Sequence, residues 1–134
     1  MRTSLLSLLL LVMACDPAAI ATFEIRPQPG RLSIDSSFVL DATRIGRDFA
    51  HRHRLTSVKR SDCPSGAYYA DDTARGRRVG LNFCLARTHD GFRFDVVEAI
   101  TFFWGSRGAA LRDELADTLR SRYGNALEVS ISRH

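Results

Sequence analysis

The chain has 134 residues, of which 45% are hydrophobic and 25% charged, and its formal net charge is +4. This length and composition predict one ordinary domain with a real but modest hydrophobic core. The small positive charge favours an acidic partner or anionic lipid headgroups without requiring either.

The first segment has the organisation of a secretory signal. Arg2 precedes an apolar run, residues 5–13, which is interrupted only by Ser7 and stops before Asp16. The run is shorter than the about 20 apolar residues that a transmembrane helix needs. It therefore predicts a signal peptide that is removed on export.

The end of this segment carries a second, more specific pattern: Val12, Met13, Ala14 and Cys15 resemble the lipobox of bacterial lipoproteins. The resemblance implies cleavage before Cys15, lipidation of Cys15 and anchoring in a bilayer on the periplasmic side. Asp16 resembles the signal that retains many such lipoproteins in the inner membrane, which is therefore favoured. The predicted organisation is a signal peptide at 1–14, a lipidated tether at 15–21 and one domain at 22–134.

The first half of the domain predicts the order β-α-β-β. A strand at 22–26 ends at a Pro- and Gly-containing breaker. A helix follows, capped by Asp35 or Ser36, with one apolar stripe. Short strands then follow at 55–60 and 67–73. The stripe consists of Phe38, Ala42, Ile45 and Phe49.

The second half predicts β-β-α-β. Apolar residues alternate over 79–85, an Asp-Gly turn follows, and a return strand runs from 92 to 104. Glu98 interrupts the apolar face of that strand, either as a bulge or at the sheet margin. Ser106 can cap a second helix that Gly124 ends, and a last strand covers 126–133. The apolar stripe of this helix consists of Leu111, Leu115 and Leu119.

This order of elements predicts an α+β fold. The simplest packing is a mainly antiparallel sheet of about five to six strands with both helices on one face. The opposite face of the sheet would then lack a helical cover.

Two cysteines remain after Cys15. In an oxidising compartment, Cys63 and Cys84 are expected to form a disulfide. Closing a loop of about 20 residues would contribute about 3 kcal/mol on the chain-entropy model. Two buried thiols or a redox pair are the alternatives, although neither cysteine lies in a C-x-x-C arrangement.

Two basic clusters are candidate binding sites. The first would bind anions, although cations near a helix C-terminus also serve the helix dipole. The second cluster, of arginines beside two tyrosines, is interpreted either as a protein-recognition surface or as a solvated loop. Phe103 is added to this candidate site because the strand pattern leaves its ring exposed. The anion-binding set is Arg44, Arg47, Arg52, Arg54, Lys59 and Arg60. The partner-binding set is Tyr68, Tyr69, Arg75, Arg77, Arg78 and Phe103.

Enzyme signatures are missing from the sequence: there is no G-x-S-x-G, P-loop, H-E-x-x-H or zinc-ligand spacing. We expect a non-catalytic chain with no catalytic residue, no metal and no cofactor. Nucleic acid is not an expected partner, because an exported, anchored chain would rarely meet it. Two functions stay open. The domain binds an envelope protein, as an assembly factor or as an inhibitor of a toxin or hydrolase, or it binds anionic lipid headgroups or peptidoglycan.

Overall fold

The computed structural model describes residues 17–59, 66–72, 78–85, 90–99, 101 and 103–133. Within these residues, six strands form one sheet and two long helices pack against it. The elements are β1 (Ala18–Ile25), α1 (Ser36–Arg52), β2 (Thr56–Val58), β3 (Ala67–Asp72), β4 (Arg78–Leu85), β5 (Phe92–Ala99), α2 (Ser106–Tyr123), a 3-10 turn (Gly124–Ala126) and β6 (Leu127–Arg133). The predicted α+β class is confirmed.

The sheet has the order β2-β3-β4-β5-β1-β6, and every neighbouring pair is antiparallel. β1 lies between β5 and β6, so its backbone is paired on both sides. Phe23 of β1, for example, lies opposite Phe94 of β5 and Val129 of β6. The first and last strands of the chain therefore meet in one half of the sheet.

One face of this sheet forms the hydrophobic core. Phe23, Phe83 and Phe94 are fully buried on that face, and Phe83 lies 5.5 Å from Phe94 between ring centroids. The buried side chains of both helices belong to the same cluster. The helices contribute Phe38, Ala42, Phe49, Leu111, Leu115 and Leu119 to it. Both helices thus cover a single face, as predicted, and among the described residues no helix lies on the other face.

The ends of the helices are fixed by local chemistry. The Asp35 carboxylate accepts a hydrogen bond from the Phe38 N–H at 2.9 Å, which confirms Asp35 as the cap of α1. Gly124 ends α2 with a φ of 54°, a conformation that glycine adopts without steric cost. Ser106 is not the cap of α2: Gly105 holds that position and has no side chain to serve it.

The cap of α2 comes instead from the neighbouring strand. Glu98 is only 3% exposed, and its carboxylate accepts the Gly105 N–H at 2.8 Å. β5 keeps a regular register on both sides at this residue, so the bulge alternative is wrong. A carboxylate at a helix N-terminus satisfies an otherwise unpaired N–H group and complements the helix dipole.

Two predicted boundaries are wrong. The return strand ends at Ala99 rather than at 104, because the chain turns there to begin α2. Of the predicted tether 15–21, residues 18–21 belong to β1, where all four pair with β5 and residues 19–21 also pair with β6. Ala19 and Ala21 are fully buried, so these small side chains are core residues rather than linker residues.

Candidate functional site

The predicted partner-binding set does not form one surface. Tyr68 and Tyr69 are neighbours in β3, so their side chains lie on opposite faces of the sheet. Tyr69 packs against the core, with its ring 6.0 Å from that of Phe83. Tyr68 lies on the open face. Arg78 is the first residue of β4, and Arg75 and Arg77 lie outside the described residues.

Phe103 lies apart from the tyrosines, beyond the end of β5. It is 69% exposed, which agrees with the expectation that its ring faces solvent. Its N–H donates to the Thr101 hydroxyl oxygen at 3.1 Å, and that hydroxyl donates to the Phe103 carbonyl at 2.7 Å. The guanidinium of Arg133 lies 5.3 Å from the ring centroid, within the range of a cation–π contact.

The predicted anion-binding arginines are largely matched by carboxylates. Arg44 pairs with Asp41 at 2.7 Å, and this hydrogen bond is the main reason that the pKa of Asp41 lies below its usual value. Arg52 pairs with Glu114 of α2 at 3.1 Å. Arg47 lies 4.0 Å from Asp48. Arg54 and Lys59 are exposed, and Arg60 lies outside the described residues.

The open face of the sheet carries a shallow groove of about 250 Å³, here called the open-face groove. Five of the six strands contribute to it, and its centre follows β1 and β5. Most of its side chains are partly exposed, so they are available to a ligand or partner. The lining residues are Ile20, Thr22, Tyr68, Asn82, Arg93, Asp95, Val97 and Ser132.

A glycine gives Tyr68 its place on this face. A Cβ atom on Gly80 of β4 would lie 2.6 Å from the Tyr68 hydroxyl oxygen and 3.0 Å from two ring carbons. The tyrosine ring therefore lies across the β4 backbone rather than standing away from the sheet. A ring held in this way presents a rigid apolar platform with a polar tip.

Polar groups at the centre of the groove are linked to one another. Asp95 is 7% exposed and accepts a hydrogen bond from the Thr22 hydroxyl at 2.7 Å. Its second carboxylate oxygen lies 3.1 Å from Nε of Arg93, whose side chain is 47% exposed. Asp95 thus fixes the orientation of Arg93 while leaving much of the guanidinium open to solvent.

The hairpin carries three carboxylates, and a pairing of Asp90 with Asp95 or with Glu98 is the arrangement that general acid–base chemistry would use. Asp95 lies on the open face, whereas Glu98 lies on the covered face beneath α2. Two carboxylates on opposite faces of a sheet cannot share a proton or flank one substrate. Asp90 is exposed in the turn before β5 with a φ of 52°, at the opposite end of that strand from Glu98.

The cysteines and the lipid anchor are only partly described. Cys84 lies on β4, opposite Arg93, and is half-buried. Cys63 and Cys15 lie outside the described residues, so the disulfide and the lipidation stay predictions. Part of the groove could have been found from sequence, since Asn82, Arg93 and Asp95 occupy the polar positions of two predicted alternating strands. The contributions of β1 and β6 depend on the sheet order.

Comparison with known proteins adds no assignment: no protein-family model, curated protein or solved structure matches the chain. Across the described residues, neither helix is both long and apolar enough to cross a bilayer. The same residues contain no group of three or more His, Cys, Asp or Glu side chains placed to hold a metal ion. Function therefore has to be inferred from the geometry of the sheet and its open face.

Proposed function

We propose that this chain is a membrane-anchored envelope lipoprotein whose domain binds another envelope protein through the open face of its sheet. Cys15 carries the lipid, the domain faces the periplasm, and the inner membrane is the favoured location. The domain acts by binding rather than by catalysis. Its partner is an assembly component of the envelope, or a toxin or hydrolase that the domain inhibits.

The observation that carries the proposal is the open-face groove. Its volume of about 250 Å³ lies below the range of roughly 300–1,000 Å³ typical of small-molecule sites. The open face itself measures about 24 Å across six strands and about 23 Å along an eight-residue strand, using standard strand spacing and rise. The face therefore covers at most about 550 Å², which is of the same order as the about 800 Å² that each partner buries in an ordinary protein–protein interface.

The side chains of the groove also fit a protein partner. Tyr68 offers a fixed ring, Ile20 and Val97 offer aliphatic surface, and Asn82 offers an amide with both donor and acceptor groups. Arg93 offers a guanidinium already oriented by Asp95. Tyrosine and arginine are enriched among the residues that dominate binding energy at interfaces, particularly where neighbouring side chains exclude water.

The test is capture by the tagged full-length chain from detergent-solubilised envelopes of the source bacterium. Val97→Lys places a charge in the groove, and Asn82→Arg adds bulk beside Tyr68. Leu40→Lys is the matched control, because Leu40 is 72% exposed on α1, far from the open face. Circular dichroism verifies that each variant is folded.

The proposal expects the same protein with the wild type and with Leu40→Lys. Placing an unpaired charge in a desolvated contact costs at least about 2 kcal/mol, which is about 30-fold in affinity. Capture should therefore be lost with Val97→Lys and Asn82→Arg. Equal capture by all four chains would contradict the assignment of the open face.

A further inference from the structure

The chain enters the domain at one end of the sheet, here called the Pro17 end, where β1 begins and where β5 and β6 finish. The carbonyl oxygen of Pro17 accepts a hydrogen bond from the Thr101 N–H at 3.1 Å. This bond links the start of β1 to the segment after β5. Thr101 also holds Phe103 in its turn. The first described residue and the exposed aromatic ring are therefore positioned by a single threonine.

Cys15 must lie close to this point. Two residues of fully extended chain span at most about 7 Å, so the Cα of Cys15 lies within that distance of the Cα of Pro17. Because residues 18–21 are strand rather than tether, no longer segment separates the domain from the predicted lipid. A lipid on Cys15 would bring the Pro17 end against the bilayer surface.

The side chains at this end have the chemistry of a membrane interface. Phe103 is 69% exposed, whereas the other six described phenylalanines are buried. Arg133 lies over its ring, and Ile131, on the same face of β6, is 55% exposed. Aromatic side chains favour the bilayer interface, and arginines next to them interact with anionic headgroups.

Two exposed arginines at the Pro17 end have no ion-pair partner among the described residues. These are Arg133 and Arg54, the latter two residues before the start of β2 at this end, and both are exposed. Two of the described acidic side chains nearby already have partners. Asp71 pairs with Arg107, and Glu98 accepts the Gly105 N–H. An anionic surface is therefore the complementary partner.

We propose that the Pro17 end, through Phe103 and Arg133, docks on the anionic surface of the bilayer into which the Cys15 lipid inserts. This inference rests on the lipid anchor of the proposed function. It fixes the orientation of the domain, because the strands then run away from the bilayer and the sheet stands upright on it. The open-face groove faces sideways, within reach of a protein in the periplasm or the same membrane.

The chain reports this contact without a label, since Trp104 is its single tryptophan and directly follows Phe103. The mature lipidated chain is reconstituted into phosphatidylcholine vesicles containing phosphatidylglycerol, with bromine on the acyl chains near the headgroup. Bromine quenches tryptophan only at short range. Trp104 is half-buried against the core, so we expect partial quenching in these vesicles, and less of it in vesicles without phosphatidylglycerol.

Matched variants separate docking from mere tethering. Phe103→Ser and Arg133→Gln should each lose most of the quenching, because the lipid alone leaves the domain free to tumble. The control variants are Leu40→Ser and Arg31→Gln, which make the same changes at exposed residues away from the Pro17 end. They should quench like the wild type. High salt should reduce the contribution of Arg133.

Three results would overturn the inference. The first is absence of quenching in the wild type, the second is equal quenching in all variants, and the third is an N-terminal peptide mass showing unmodified Cys15. Val97→Lys should leave the quenching unchanged, because the vesicles contain no protein partner. A chain that docks but captures no partner would refute the open-face proposal alone, and the converse result would refute the docking alone.

Discussion

Replacing Gly108 by alanine tests the buried carboxylate that caps α2. Gly108 is the third residue of the helix, where Gly→Ala ordinarily stabilises by up to about 1 kcal/mol. Here a Cβ would lie 2.1 Å from Oε2 of Glu98 and 3.0 Å from Cε3 of Trp104. The carboxylate has to move, and its hydrogen bond to the Gly105 N–H is lost or weakened.

The size of the effect follows from these contacts. Loss of a charge-assisted hydrogen bond costs about 1.5–3 kcal/mol, and an off-rotamer side chain adds about 1 kcal/mol. After subtracting the propensity gain, Gly108→Ala should lower the free energy of unfolding by about 1–3 kcal/mol. For a domain of this size the melting temperature falls by roughly 5–10 °C.

A double-mutant cycle isolates the cause. In a Glu98→Ala background the space around the new methyl group is open, so Gly108→Ala should become neutral or stabilising. The predicted coupling energy is about 2–3 kcal/mol. Guanidinium unfolding of the purified mature chain, followed by circular dichroism, measures all four variants. A stabilising Gly108→Ala in the wild-type background, or an equal cost in both backgrounds, would refute the reasoning.

Two further predictions concern ionisation and the disulfide. Burial, and next the negative charge of Asp41, raise the pKa of Tyr123 from 10.0 to about 12. The folded state therefore holds this proton more tightly, so about 1–2 kcal/mol of stability should be present below pH 10 and lost between pH 10 and 12. Tyr123→Phe should remove that loss in alkaline unfolding curves; an unchanged curve would contradict it. Cys63→Ser and Cys84→Ser should each lower the free energy of unfolding by about 3 kcal/mol. The double variant should lower it by no more than either single variant, since all three variants lack the same disulfide. Unchanged thermal unfolding of both single variants would exclude the disulfide.

The elements of this fold were largely predictable because their signals are local. The stripe from Phe38 to Phe49 and the alternation over 79–85 each report burial on one side of a helix or strand. The caps at Asp35 and Gly124 depend on one residue and its immediate neighbours. The α+β class follows from the order of such elements, and it is confirmed.

The predictions that were wrong share a cause: each depended on contacts with residues distant in sequence. Ser106 looks like a cap in sequence, but Glu98 serves α2 from a strand that packs beneath it. Residues 18–21 look like a tether because alanine has little strand preference, yet they pair with β5 and, from Ala19 onward, with β6. Neither partner strand can be deduced from the tether itself.

In the candidate site, too, the local features were predictable from sequence and the non-local contacts were not. The sequence predicts both tyrosines of β3 as binding residues, but strand alternation places Tyr69 in the core and Tyr68 on the open face. The groove around Tyr68 combines residues from β1, β3, β4, β5 and β6, and the order of those strands is a tertiary property. Phe103 was predicted as exposed, while its neighbour Arg133 comes from the far end of the sequence.

Site-specific photo-crosslinking tests the central claim most directly, because it reports which face of the anchored domain meets a protein. A photoreactive residue is introduced at Val97 in the open-face groove, and in a second chain at the exposed Leu40 of α1. Both full-length chains are irradiated in intact cells of the source bacterium. A single crosslinked protein from position 97, absent from position 40, is the predicted result. Crosslinks from position 40 alone, or from neither position, would contradict binding through the open face.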